Sequence, residues 1–122
     1  MLIINVDDDS DDSEMFAAAI AEINPGIECI SLESGIKLIE FLKTTKTFPD
    51  FIFMDINMPK FNGYESAQAI RANKELGAIQ IVMYSTAFSP NDATRFTALG
   101  CKSLVKQGTY DGLVKSLKAL IS

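Results

Sequence analysis

Five short apolar runs, each followed by a longer stretch of helical period, leave this chain few folds to choose from. The runs are Leu2 to Val6, Ile27 to Ser31, Phe51 to Met54, Ile79 to Tyr84 and Ser103 to Val105. Most are nearly continuous in apolar residues, as strands covered on both faces are. Between them Met15, Phe16, Ala19, Ile20 and Ile23, then Leu38, Ile39 and Leu42, then Ala67, Ile70 and Arg71 recur at three and four, the spacing of an amphipathic helix. Asn24, Pro25 and Gly26 close the first helix, Ser89 before Pro90 with Asp92 opens the fourth, and Thr109 caps a fifth bearing Leu113, Leu117 and Leu120. Such alternation predicts a parallel sheet with right-handed crossovers. Five units in 122 residues suit an open, doubly wound (βα)5 sheet of order 2-1-3-4-5 better than an eight-unit barrel. With no repeat or linker, residues 1–122 read as one domain.

Ligands of such sheets bind beyond the carboxyl ends of the strands, near the switch between strands 1 and 3. The residues expected there carry chemistry. Strand 1 runs into Asp7, Asp8 and Asp9, strand 3 into Asp55, strand 4 into Ser85 and Thr86, strand 5 into Lys106, and the edge strand offers Ser31 and Glu33. Clustered carboxylates repel one another unless a cation neutralises them. Oxygen ligands alone indicate a hard ion, Mg²⁺ or Mn²⁺. That ion and Lys106 together cancel the charges of Asp7, Asp8 and Asp55, which leaves room for a phosphoryl group.

Val6-Asp7-Asp8-Asp9 after an apolar strand, Phe51 to Pro59 containing Asp55, Asn57 and Met58, then Gly63, Ser85 and Lys106 resemble the receiver domain of two-component response regulators. Asp55 lies 47 residues after Asp8, 30 before Ser85 and 51 before Lys106, spacings similar to that family's, and the likeness covers essentially the whole chain. The resemblance implies a flavodoxin-like fold of the single-domain type. It implies that Asp55 accepts a phosphoryl group, that Asp7, Asp8, Asp55 and the backbone carbonyl of Asn57 hold Mg²⁺, and that Ser85 and Lys106 contact phosphoryl oxygens. A sensor histidine kinase or histidine phosphotransfer protein would be the donor, and a further protein would read the changed surface. Such a chain is not an enzyme on other substrates; it catalyses only its own phosphorylation and dephosphorylation.

Two positions depart from that pattern. Three residues before Lys106, where the family carries an aromatic switch residue, stands Ser103, and the fifth strand is one residue short; Tyr84, Phe88 or Tyr110 are the available substitutes. Gln107 replaces a proline, so the Lys106–Gln107 bond is expected to be trans, with Gly108 absorbing the turn. Asp9, Asp11 and Asp12 read as a solvated helix start favoured by the dipole. An EF-hand is excluded, because Asp12 and Ala18 stand where the loop needs glycine and glutamate.

Composition narrows the alternatives. There is no histidine, which removes His-dependent nucleophiles and any role as the phosphohistidine partner. Eleven basic against sixteen acidic residues give a net charge of −5, unsuited to a nucleic-acid partner. Cys29 and Cys101 lack metal-ligand spacing and read as buried reduced thiols, in keeping with a cytoplasmic protein without a membrane segment. The rival functions are a receiver-like adaptor that takes no phosphate and an aspartate-nucleophile phosphatase using Asp7, which lacks the later acidic cluster such an enzyme needs. The triple aspartate would repel the phosphate of a flavin. No output domain is expected within these residues.

Overall fold

The computed structural model describes residues 1–56 and 63–121. Along the chain run β1 (Leu2–Val6), α1 (Ser10–Ile23), β2 (Glu28–Leu32), α2 (Gly35–Thr44), β3 (Phe51–Asp55), α3 (Gly63–Ala72), β4 (Gln80–Ser85), α4 (Pro90–Ala98), β5 (Lys102–Val105) and α5 (Tyr110–Ile121), with a 3-10 turn at Lys74–Leu76. The strands form one sheet in the order β2-β1-β3-β4-β5. All pairings are parallel, for example Val6 with Met54 and Asp55 with Tyr84. The expected doubly wound, flavodoxin-like α/β fold is therefore present.

Side chains alternate across a strand, so the sheet serves two cores. Ile4, Val6, Ile52, Met54, Ile81 and Met83 pack against Leu38 and Leu42 of α2, Ala67 and Ile70 of α3 and Phe96 of α4. Ile3, Phe51, Phe53, Val82 and Tyr84 pack against Phe16, Ala19 and Ile20 of α1 and Leu113 and Leu117 of α5. The central strands β1 and β3 are buried throughout, as continuous apolar runs require. β2 and β5 are the edge strands, as the expected order requires, and Lys102, Ser103 and Val105 are exposed. Met15 is also solvent-facing, leaving Phe16, Ala19 and Ile20 as the buried stripe of α1.

Local chemistry sets the ends of the helices. Asn24 caps the end of α1, its amide donating to Ile20 O. Thr109 Oγ1 accepts from Gly112 N at 3.0 Å and starts α5. At α4 the Ser89 hydroxyl accepts from Asp92 N at 3.0 Å while Ser89 N donates to the Asp92 carboxylate at 3.1 Å, a reciprocal capping box with Pro90 at the first helical position. The carboxyl end of α4 is held differently. Arg71 donates from Nε to Leu99 O at 2.8 Å and from one terminal nitrogen to Ile79 O at 2.9 Å, with longer bonds to the carbonyls of Gly77 and Gly100.

Gly100 then turns the chain with φ 71°, the left-handed conformation glycine supplies. The chain bends at Gly108 without a positive φ, and the Lys106–Gln107 bond is trans as anticipated. At Gly63 a Cβ would crowd Ile56 Cα at 3.2 Å and Asp55 O at 3.3 Å, so glycine eases the start of α3 this close to the end of β3. Cys101 is buried; Cys29 is half-buried rather than enclosed, and burial pushes its thiol up to about 11. No helix among the described residues is long and apolar enough to cross a membrane.

Ser89→Ala should remove one helix-start hydrogen bond and cost about 1 kcal/mol of stability. A urea midpoint unchanged from the parent protein would refute the assignment.

Candidate functional site

The carboxyl ends of β1, β3, β4 and β5 meet at one edge of the sheet. Asp7 follows β1 directly, with its amide donating to Leu32 O at 3.0 Å, and is only 4 % exposed. Asp55 is the last residue of β3 and is also buried, while Asp8 is exposed. One carboxylate oxygen from each of Asp7, Asp8 and Asp55 lies within 4.8 Å of the others. Three oxygen donors this close, two on buried residues, suit a single hard divalent cation.

Lys106 reaches this cluster from the end of β5, and its amide donates to Ser85 O at 2.7 Å. Its Nζ lies 3.3 Å from Asp55 Oδ2, 3.2 Å from Asp12 Oδ2 and 3.5 Å from Asp7 Oδ2. Partial burial works against its charge, but Asp55, Asp7 and Asp12 outweigh that and hold the ammonium above the ordinary lysine range. For Asp7 burial acts the other way and pushes the carboxyl up, with the Asp9 amide and Lys106 offsetting only part of the effect. A bound cation would favour the ionised form.

Ser85 is fully buried at the end of β4, whereas Thr86 is exposed. The Ser85 hydroxyl donates to Ala87 O at 2.9 Å and accepts from Ala87 N at 3.3 Å, so it engages the loop that leads into α4. Ser31 and Glu33 line a cleft shared with Asp7 and Asp8, but Glu33 is paired with Lys37 on the surface. Asn57, Met58 and Pro59 lie outside the described residues, and with them the expected carbonyl ligand.

Asp9 is the N-cap expected of a helix start: its side chain accepts from the amides of Asp11 and Asp12 at 2.9 and 3.2 Å. Asp12 is not merely a solvated residue of that turn, because it pairs with Lys106. The signal available beforehand was its position one turn beyond Asp8, on the helix that leaves the site. Ser103 is exposed on a four-residue β5, so no aromatic occupies that place. Of the three substitutes, Tyr84 meets the site, its ring centroid 5.0 Å from Lys106 Nζ. Phe88 packs on Phe96, and Tyr110 packs against the α1–α5 core.

The sequence model of the response regulator receiver domain matches residues 3–118, and the chain belongs to that family. A curated relative, the probable histidine kinase 6 of Oryza sativa subsp. japonica, is 30 % identical over an alignment of 119 positions that covers 93 % of this chain but 12 % of the relative. Among solved structures, the phosphorylated cyanobacterial phytochrome response regulator RcpA superposes with a TM-score of 0.89 at 23 % identity, covering 98 % of this chain and 89 % of that one. The Mn²⁺-bound form of response regulator Rcp1 gives 0.85 at 25 % identity, covering 98 % and 90 %.

Lys106→Met should leave the acids around it without their cation. Without divalent ions it should cost about 1–3 kcal/mol in urea unfolding, between the values for exposed and for fully buried pairs. Stability equal to the parent's would show that the ammonium does not offset their repulsion.

Proposed function

We propose that this chain is a phosphoacceptor signalling switch in which Asp55 takes a phosphoryl group from a histidine phosphate on a sensor kinase or phosphotransfer protein. The observation that carries the reading is the convergence of Asp7, Asp8 and Asp55 within 4.8 Å, with Lys106 Nζ 3.3 Å from Asp55. Phosphorylation of RcpA, Mn²⁺ binding by Rcp1 and the kinase relative support it.

An Asp55 oxygen attacks phosphorus, the phosphorus–nitrogen bond to the donor imidazole breaks, and an acyl phosphate results. Water later hydrolyses that mixed anhydride, which releases inorganic phosphate and restores the carboxylate. Asp7, Asp8, Asp55 and the carbonyl of Asn57 would hold Mg²⁺, or Mn²⁺ in its place, which supplies positive charge to the phosphoryl oxygens. Lys106 adds a second positive contact, and Ser85 exchanges its bond to Ala87 for one to a phosphoryl oxygen. Roughly 1.5 to 2 negative charges then arrive beside the β4–α4 loop. The loop moves with its hydroxyl, and the interaction surface changes for a downstream protein. The chain acts on no other substrate. Its acidity disfavours direct nucleic-acid contact, and a cytoplasmic setting suits a kinase-fed switch.

Acetyl phosphate with Mg²⁺, followed by borohydride reduction and mass mapping, should label Asp55. Loss of label in Asp55→Asn is required, and label at Asp7 would point to a phosphatase instead. Mg²⁺ at a hundred times its Kd should raise stability by about 2.7 kcal/mol, read as a higher Tm. Asp8→Ala should abolish that rise; a rise of the same size in this variant would remove Asp8 from the metal set.

A further inference from the structure

Lys106 has three N–H donors, and three carboxylate oxygens surround it at 3.2, 3.3 and 3.5 Å. The Tyr84 ring, 5.0 Å away, limits where else the ammonium can move. Lys106 donates hydrogen bonds to Asp12 and Asp55 and is drawn to Asp7, so a phosphoryl oxygen on Asp55 competes with these acids for the ammonium, and forming the acyl phosphate removes only the charge of Asp55 itself. The three differ in what release costs. The side chain of Asp12 is 46 % exposed, against 2 % for Asp7 and 12 % for Asp55, so Asp12 alone returns readily to water. It is also held in place meanwhile: its amide is bonded to the Asp9 cap at 3.2 Å, in the first turn of α1, where the helix dipole favours a carboxylate.

We infer that Asp12 is a positioning residue that acts through Lys106. In the resting site its carboxylate occupies the ammonium contact that the phosphoryl group takes over, and it swings into solvent when that group arrives. The inference rests on the phosphoacceptor reading above. Asp12 keeps Lys106 at the mouth of the site, and it makes the phosphorylated state compete with a resting ion pair. Phosphoryl affinity is thus set partly by an acid that belongs neither to the metal cluster nor to the acceptor strand.

The test uses beryllofluoride as the phosphoryl stand-in, titrated calorimetrically into the full chain at saturating Mg²⁺. Asp12→Asn should bind it roughly two- to fivefold more tightly, the range of a partly exposed ion pair. Asp12→Glu, which keeps the competing carboxylate, should behave as the parent. The gain in Asp12→Asn should shrink at about 1 M salt, where the Debye length is near 3 Å. Asp11→Asn controls for the general loss of negative charge, since Asp11 lies on the same turn and is exposed. Equal or weaker binding by Asp12→Asn overturns the inference, as does an equal gain in Asp11→Asn, and both leave the phosphoacceptor reading standing. Failure of the parent protein itself to bind beryllofluoride at Asp55 overturns that reading instead.

Discussion

One ammonium group holds together what its carboxylate neighbours would drive apart. Asp7 and Asp55 are buried at the ends of adjacent central strands, Asp8 and Asp12 flank them, and Lys106 is the cation paired with three of the four. Burial raises the carboxyl of Asp7, and Lys106 offsets that only in part. An electronegative pocket with an incomplete counter-charge is a poor device for stability. It is a good one for gathering a divalent ion and the phosphoryl group that such an ion accompanies.

The parallel sheet makes that concentration of charge possible. Because every strand points the same way, residues far apart in sequence arrive at one edge, and the apolar residues before them anchor each end in one of two cores. Tyr84 sits in the α1–α5 core, and strand alternation turns its neighbour Ser85 to the other side. A change at the end of β4 is thus felt in both layers, and Tyr84 carries the only ring among the described residues found beside Lys106.

Much of this was legible from residue order. Apolar runs fully covered on both faces, such as β1 and β3, announce themselves, and an acid immediately after such a run can only emerge at the strand end. Edge strands say less: β5 reads Lys102-Ser103-Leu104-Val105, and although the expected strand order puts it at an edge, only neighbours in space decide that Val105 is exposed while Leu104 is half-covered. Asp12 was obscured for a related reason. Acids at a helix start are usually solvated, and nothing local reveals that Lys106, 94 residues on, reaches back to this one. The left-handed turn at Gly100 was not legible beforehand, because a positive φ depends on how a helix ends, and at α4 that end is held by Arg71 on the carbonyls of Leu99 and Gly100.

The two ends of α4 are secured by unlike chemistry. Near the site, the Ser89 hydroxyl and the Asp92 carboxylate each accept from the other residue's backbone amide at the surface, where water competes for both bonds. At the far end a guanidinium sits among carbonyls from separate connections, a forked geometry that neither water nor a lysine reproduces. The carboxyl end of α4 is thus tied to its neighbours in the fold, whereas the end joined to Ser85 is closed only upon itself.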